Sequence, residues 1–351
     1  MSLNERYTGF AIALAWPQTY CKQPGSWYDP LTRRLGINKN HYYRAGHAAL
    51  VLVDIRNATC HYFDFGRYHA PFMHGRVRSA ETDEDLKMYT VPEISSDGRS
   101  IVNYHEILNE LQRNPACHGE GTLYASYNAV NFEASMNKAM RMQKESPIRY
   151  GPFVRGGSNC SRFVNTVILS GKPDWYRRIR LKYFQPFTPT PLNNVNSLPN
   201  RRKVSVLRNA APFTPVRPLY RTELESTLPP PVRHPAIPQH AQWLSGEGAG
   251  SWFALEIEGS FLKSTRYSPD GTIECRGIYE GPVNELMDSN TIIDLEYLSH
   301  CKEINLRING SRKKFSRKYL QSIKNLTRVS GLSKTEAFNF QTKDYNKLSY
   351  S

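Results

Sequence analysis

No run of eighteen consecutive apolar residues occurs in this chain of 351 residues, so no membrane-spanning helix is expected. Cysteine is sparse. The six present (Cys21, Cys60, Cys117, Cys160, Cys275 and Cys301) are widely scattered and form no CxxC pair. That spacing argues against a disulfide framework and a structural zinc site, and it fits a reducing compartment. The stretch MSLNERYTGFAIALAWPQ opens with Asn4, Glu5 and Arg6 and offers no small-residue cleavage site, so it is expected to be a first strand rather than a secretory leader. The expected location is therefore cytoplasmic. No internal repeat at a solenoid period occurs, and nothing in the sequence fixes the oligomeric state. His61, His69 and His74 with Asp64 raise the question of a metal. However, His69 and His74 are five apart across a proline-containing loop, and no second pair has zinc spacing. The reading calls for no metal and no cofactor.

Acidic residues are outnumbered. Lys and Arg total 46 against 31 Asp and Glu, a formal charge of +15. The excess is uneven: residues 302 to 328 hold nine Lys/Arg against Glu303 alone, and 186 to 240 hold seven against Glu223 and Glu225. A basic stretch is most often a solvated face, and the alternative is contact with nucleic acid or another polyanion. No aromatic and basic interleaving of the kind that builds a nucleic-acid-binding sheet is present.

The hydrophobic content of 39% suits a folded chain, and its pattern gives an α+β reading. Gly9 to Trp16 is a strand that stops at Pro17. Trp27 to Leu35 reads as a short helix closed by Gly36. Tyr42 to Asp54 is the strongest buried strand, and a turn at Asn57-Ala58 leads to the strand Cys60 to Gly66, which makes a hairpin. A third strand is expected around Arg76 to Ser79, a helix over Asn103 to Asn114, and a strand over Leu123 to Tyr127. Phe132 to Lys144 is an amphipathic helix ended by Pro147. Twelve of the 23 prolines lie between 186 and 240, which reads as a linker. Beyond it, alternation from Trp252, a turn at Ser268 to Gly271 and a hairpin at Asn309-Gly310 predict a small β module with a basic C-terminal extension. The expected division is 1–185, 186–244 as Pro-rich linker, and 245–351.

The chemistry points to Cys160. In YGPFVRGGSNCSRFVNTVILSG a glycine-rich loop runs into this cysteine, and Phe163, Val164, Val167 and Ile168 then follow with helix spacing up to Gly171. With Ser158 or Asn159 as cap, Cys160 stands in the first turn, where the helix dipole favours thiolate. A buried structural cysteine is the bland alternative. A nucleophile needs a base and a group to orient it. His47 sits early in the strong strand. Asp64, flanked by Phe63 and Phe65, should fall opposite Ala49 across the short turn, within diagonal reach of His47. For the oxyanion, the backbone N–H of Cys160 is the default donor, and Asn159 could add its side chain. Tyr150 could line the cleft. Arg76 and Arg78 could grip a substrate carboxylate or phosphate, or else pair with Glu81, Asp83 or Glu84.

The order His, acid, Cys in R-AGHAALVLVD, CHYFDFGRYH and SNCSRFV resembles the circularly permuted papain-like cysteine hydrolases of the NlpC type over about residues 9 to 175. It is also similar to the lecithin:retinol acyltransferase-like branch, and the WP, GHAALVL, FDFGRYHAP, GRVRSAETD and NCSRFV blocks resemble an uncharacterised bacterial family. The resemblance implies a permuted papain-like antiparallel sheet with packed helices, and a triad of Cys160, His47 and Asp64. It implies cleavage of an amide or ester through an acyl-enzyme, with a peptide-like or acyl substrate, or acyl transfer by the same triad. It implies nothing for the module after 245. The competing reading is a non-catalytic papain-like binding protein whose basic β module docks on a polyanion.

Overall fold

The computed structural model describes residues 6–22, 29–34, 36, 38–39, 42–186, 188–205, 226–287 and 291–318. In chain order the first part holds β1 (Gly9–Trp16), β2 (Cys21–Lys22), α1 (Asp29–Arg34), β3 (Asn38–Lys39), β4 (Tyr42–Tyr43), β5 (His47–Asp54), β6 (Thr59–Gly66) and β7 (His74–Arg78). There follow α2 (Tyr104–Arg113), β8 (Leu123–Val130), α3 (Phe132–Lys144), β9 (Ile148–Arg149), α4 (Cys160–Ser170), α5 (Trp175–Tyr183), α6 (Pro191–Ser197) and β10 (Arg202–Val204). Seven strands form one antiparallel sheet in the order β10-β8-β1-β5-β6-β7-β9.

Alternation along β1 and β5 decides what covers each face. Ala11, Ala13 and Ala15 share one face with Ala48, Leu50 and Leu52, and this face packs under α3, α4 and α6 through Ala139, Phe163, Val164, Val167, Ile168 and Val195. The small β1 side chains let the helices approach closely. Phe10, Ile12 and Leu14 point the other way with Val51 and Val53, against Ile107, Leu108 and Leu111 of α2. Both strands are buried throughout, which explains their near-continuous apolar composition.

The module contains β11 (Gln242–Leu244), β12 (Ser251–Glu258), β13 (Phe261–Tyr267), β14 (Ile273–Glu280), β15 (Ile293–Leu295), β16 (Glu303–Ile308) and β17 (Ser311–Arg317), ordered β11-β12-β13-β14-β17-β16-β15. Its two edge strands meet through one side chain. The Gln242 amide donates to the Ile293 carbonyl at 2.9 Å and accepts from the Leu295 N–H at 2.7 Å, so the sheet curls into a barrel-like unit. The architecture is thus the expected α+β one: a large antiparallel sheet with packed helices, then a small β module.

The expected boundary at 185 falls too early. Thr190 caps α6 and Pro191 occupies its first turn, Val195 and Leu198 enter the first core, and β10 pairs with β8. Pro191 belongs to that helix start, and the Pro199 carbonyl accepts the Tyr127 N–H of β8 at 3.2 Å. Residues 206–225 of the expected linker lie outside the described residues.

The basic stretch also reads differently in space. Lys302 pairs with Glu81, Arg307 and Arg312 with Glu296, Lys313 with Glu285, Lys314 with Glu303, Arg317 with Glu84 and Lys318 with Glu280. Every Lys and Arg from 302 to 318 therefore has a carboxylate beside it. The remainder of the stretch, 319–328, lies outside the described residues.

Candidate active site

The helix carrying Cys160 starts where it does because Asn159, in extended conformation, accepts the Arg162 N–H with its side chain at 2.8 Å. Ser158 is tied instead to the preceding loop: its N–H donates to the Arg149 carbonyl, and its own carbonyl accepts from the Gly151 N–H, both at 2.9 Å. The Arg162 guanidinium folds the glycine-rich loop back by donating to the carbonyls of Gly157 and Pro152. Cys160 is left almost buried at 7% exposure.

His47 enters β5 from Gly46, whose φ of +74° is the left-handed kind that glycine tolerates. A Cβ at Gly46 would stand 3.0 Å from Pro17 Cα, so the β1 end and the β5 start are packed backbone to backbone. Trp16 is the register partner of His47, and their rings stack at 5.8 Å and 25°. The Trp16 indole is fixed in turn by donating to Gln112 Oε1 at 2.8 Å.

Asp64 pairs with Ala49, the register that the short turn predicts, and its Oδ2 lies 3.6 Å from His47 Nε2. That is longer than a direct hydrogen bond, and Nε2 has no hydrogen-bond partner. Asp64 itself is fully buried and firmly held. Arg78 donates to its two oxygens at 2.9 and 2.5 Å, and the Tyr62 hydroxyl donates at 3.1 Å. His47 is thus held by burial and by the Trp16 stack, whereas Asp64 is anchored by hydrogen bonds.

Electrostatics favour charge separation between the thiol and the imidazole. Burial acts to raise the Cys160 pKa, yet His47 beside it, the Ala48 N–H and the Ser161 hydroxyl bring it below its ordinary value. Burial acts to lower His47, but Asp64 and Cys160 overcome it and raise the imidazole to about 9. For Asp64, burial is outweighed by Arg78 and His47, and the carboxyl stays well below the usual range. These directions agree: Cys160 tends toward thiolate, His47 toward imidazolium, and Asp64 remains ionised.

The other sequence candidates sit around this centre in different ways. Asn159 uses its side-chain oxygen as the helix cap, which leaves only its amide N–H₂ to donate elsewhere. Tyr150 is half-buried. Its ring lies parallel to Phe65 at 5.6 Å, Phe65 stacks on Phe163 of α4 at 6.4 Å, and the Arg67 guanidinium lies 4.8 Å over Tyr150. Cys160 is among the charges that push the Tyr150 phenol up, so this ring is close to the thiol.

Arg76 and Arg78 do not present free guanidinium groups. Arg76 is bound by both oxygens of Asp83 at 2.7 and 2.8 Å and by the Tyr68 carbonyl, whereas Arg78 holds Asp64, donates to the Ala116 carbonyl and lies 4.0 Å over the Tyr68 ring. The expected grip on a substrate anion gives way to internal pairing, because buried carboxylates of the protein are already within reach. Sequence reasoning missed Arg78 as the anchor of the acid and Trp16 as the platform for the base. The Trp16 pairing was open to anyone who registered β1 against β5; the Arg78 role required knowing that β7 joins β6 so that Asp64 faces Arg78.

The β module reaches the same neighbourhood. Glu247 accepts from Arg67 and from the Met73 N–H, both at 2.8 Å, and Ser251 is 2.7 Å from His69. Arg266 joins Arg76 on Asp83 at 3.0 Å. Among the described residues no three His, Cys, Asp or Glu side chains gather as a metal site, and no helix is long and apolar enough to cross a membrane.

Two family models match separate stretches of the chain. Residues 11–175 match the family model described as Type VI secretion system effector TseH-like, a span that includes His47, Asp64 and Cys160. Residues 241–318 match the DUF6695 C-terminal domain, which coincides with the β module. A crystal structure of a type VI secretion system effector, TseH, is similar over 54% of this chain and 87% of that one, at 18% identity and a TM-score of 0.35. No curated protein matches the chain.

Proposed function

We propose that the chain is a papain-like thiol hydrolase of the circularly permuted kind, cleaving an amide or ester bond with a peptide-like substrate favoured. The observation that carries this reading is the Cys160, His47 and Asp64 cluster, in which the histidine is raised to about 9 and the cysteine lowered. The Cys160 thiolate attacks the carbonyl carbon, and the oxyanion forms against the Cys160 backbone N–H at the start of α4. His47, as imidazolium, gives its proton to the leaving amine or alkoxide. Now neutral, it takes a proton from water as the acyl-enzyme is hydrolysed. Asp64 orients the ring and stabilises its charge. The same acyl-enzyme passed to an amine or alcohol would make the protein an acyltransferase. The likeness of residues 11–175 to a secreted effector family supports action outside the cytoplasm in which the chain is made.

The test is an activity-based thiol probe, carrying an electrophilic amide or ester, applied to wild type, Cys160→Ala and His47→Ala. Labelling should vanish in the first variant and fall by about 10²–10⁴ in the second, the span typical of a positioned acid–base group. If Cys160 is labelled no faster than Cys117 or Cys275, the nucleophile assignment fails.

A further inference from the structure

The helix α5, WYRRIRLKY, is the least explained element of the fold. It hangs on the first core by Leu181, which is 1% exposed, and its backbone is tied by the Asn165 amide donating to the Leu181 carbonyl at 3.0 Å. At 3.6 residues per turn, Trp175, Tyr176, Ile179 and Tyr183 fall within an arc of about 100° on the side away from Leu181. This outward stripe is open to solvent: Trp175 is 71% exposed and Tyr183 67%, and Phe184 at the helix end is 70% exposed. A cavity of 460 Å³ lined by Leu169, Trp175, Arg178, Ile179, Lys182 and Tyr183 opens on it.

The charges of α5 are of one sign and have a definite placement. Arg178 and Lys182 border one edge of the stripe, Arg177 and Arg180 the other, and no acid lies within the helix. Asp174, just before the helix, serves as its cap, accepting the Arg177 N–H at 3.1 Å. Lys182 Nζ lies 5.1 Å from the centre of the Tyr183 ring and the Arg177 guanidinium 5.0 Å from that of Tyr176, so cations sit directly beside the aromatic stripe. Scattered exposed apolar residues need no explanation, but five of them along a nine-residue helix and its cap, bordered by four cations, are a patch.

We propose that α5 is a membrane-surface docking helix that lies flat on a bilayer bearing anionic headgroups. Trp and Tyr are the side chains suited to the headgroup boundary, with an apolar body and a polar tip. The flanking Arg and Lys meet the lipid phosphates, and their complementarity to an anionic surface is what selects this occupant. A nucleic acid would use the cations without needing Ile179 and the outermost Trp175, and a second copy of the chain would bring four further cations against these four. The contact is peripheral and reversible, as a single short helix supports.

The full chain is mixed with vesicles of phosphatidylcholine alone or of phosphatidylcholine with phosphatidylglycerol, and co-sedimentation is measured at rising salt. Binding is expected to the anionic vesicles, to weaken with salt, and to be at least tenfold lower on phosphatidylcholine. Arg178→Glu and Lys182→Glu should each weaken it about fivefold or more, the effect of losing one surface cation near such a membrane. Trp175→Ser with Tyr183→Ser should abolish it, while circular dichroism and the thermal midpoint stay those of wild type, because these side chains touch little of the core. The proposal is overturned if anionic vesicles bring down no protein, or if the Trp175/Tyr183 variant binds as wild type does. It is equally overturned if sedimentation velocity shows a dimer that the same variant dissolves, or if duplex DNA binds through Arg178 and Lys182 with no dependence on Trp175.

Discussion

Asp64 is the residue on which the candidate site turns, and its environment makes specific demands. It is fully buried, accepts from Arg78 twice and from Tyr62, and faces His47 at 3.6 Å. Removing one member of such a pair leaves the other charged and uncompensated in the interior. Arg78→Met should therefore cost about 3–5 kcal/mol in urea unfolding, and Asp64→Leu with Arg78→Met should cost clearly less than the sum of the single changes. Additive costs would show that the two are not coupled. The pH profile of turnover follows from the same cluster. Cys160 is lowered from 9.0 and His47 raised from 6.5 to about 9, so an ion pair is expected between the two transitions. Turnover should rise with pH as the thiolate forms, below the ordinary thiol range. It should then fall as pH passes about 9, where His47 loses the proton that it must give to the leaving group. A rate that keeps rising past that point would remove His47 as the acid.

At the scale of elements, the site depends on how β5 and α4 begin. Gly46 has φ +74° and its missing Cβ faces the Pro17 backbone at 3.0 Å, so Gly46→Ala must strain or shift the entry of β5. A loss of more than about 1 kcal/mol is expected. Cys160 alkylation at neutral pH should also slow, because His47 is the next residue; unchanged alkylation in a destabilised variant would separate the strand entry from the site. Much of this was legible beforehand. The hairpin register that sets Asp64 against Ala49 follows from two apolar runs and a short turn, and the α4 start follows from a capping Asn before an apolar period. What was not legible has local causes. Thr190-Pro191 is a sound helix start, but it lies in a run so rich in proline that composition outweighed the cap. The WYRRIRLKY helix has one buried side chain, Leu181, so its apolar period points outward and gives no core signal. Arg76 and Arg78 alternate on β7 as a ligand-gripping pair would, and only the packed neighbours show which carboxylates they already hold.

For the whole molecule, the β module is joined to the first part through buried charge. Asp83 lies between Arg76 and Arg266, each within 3.0 Å, and Arg67 with Glu247 forms a second buried pair. Further ties run from the Cys301 N–H to the Thr82 carbonyl at 3.0 Å, and from Lys302 to Glu81. A chain ended at residue 240 would leave Asp83 with one cation fewer and Arg67 without its carboxylate. Asp83→Ala should thus lower stability by about 3–5 kcal/mol, and calorimetry of the full chain should show a single transition that the substitution moves as a unit. Two transitions, with only one displaced, would mean that the parts melt independently. This joining could not be read from the sequence, since Asp83 and Arg266 are separated by 183 positions. The same separation explains the basic stretch: Lys302 and Arg317 look unopposed along the chain, yet their carboxylates, Glu81 and Glu84, lie in the first part.

The central claim is that Cys160 is a thiolate activated by His47, and the most direct measurement is the pH dependence of its alkylation by iodoacetamide, followed peptide by peptide with mass spectrometry. Cys160 is expected to react at pH values below the ordinary thiol range, while Cys60, pushed up to about 12 by burial, stays inert, and His47→Ala is expected to return Cys160 to ordinary thiol behaviour. A Cys160 that reacts only as the pH nears 9, with the same profile in His47→Ala, would contradict it.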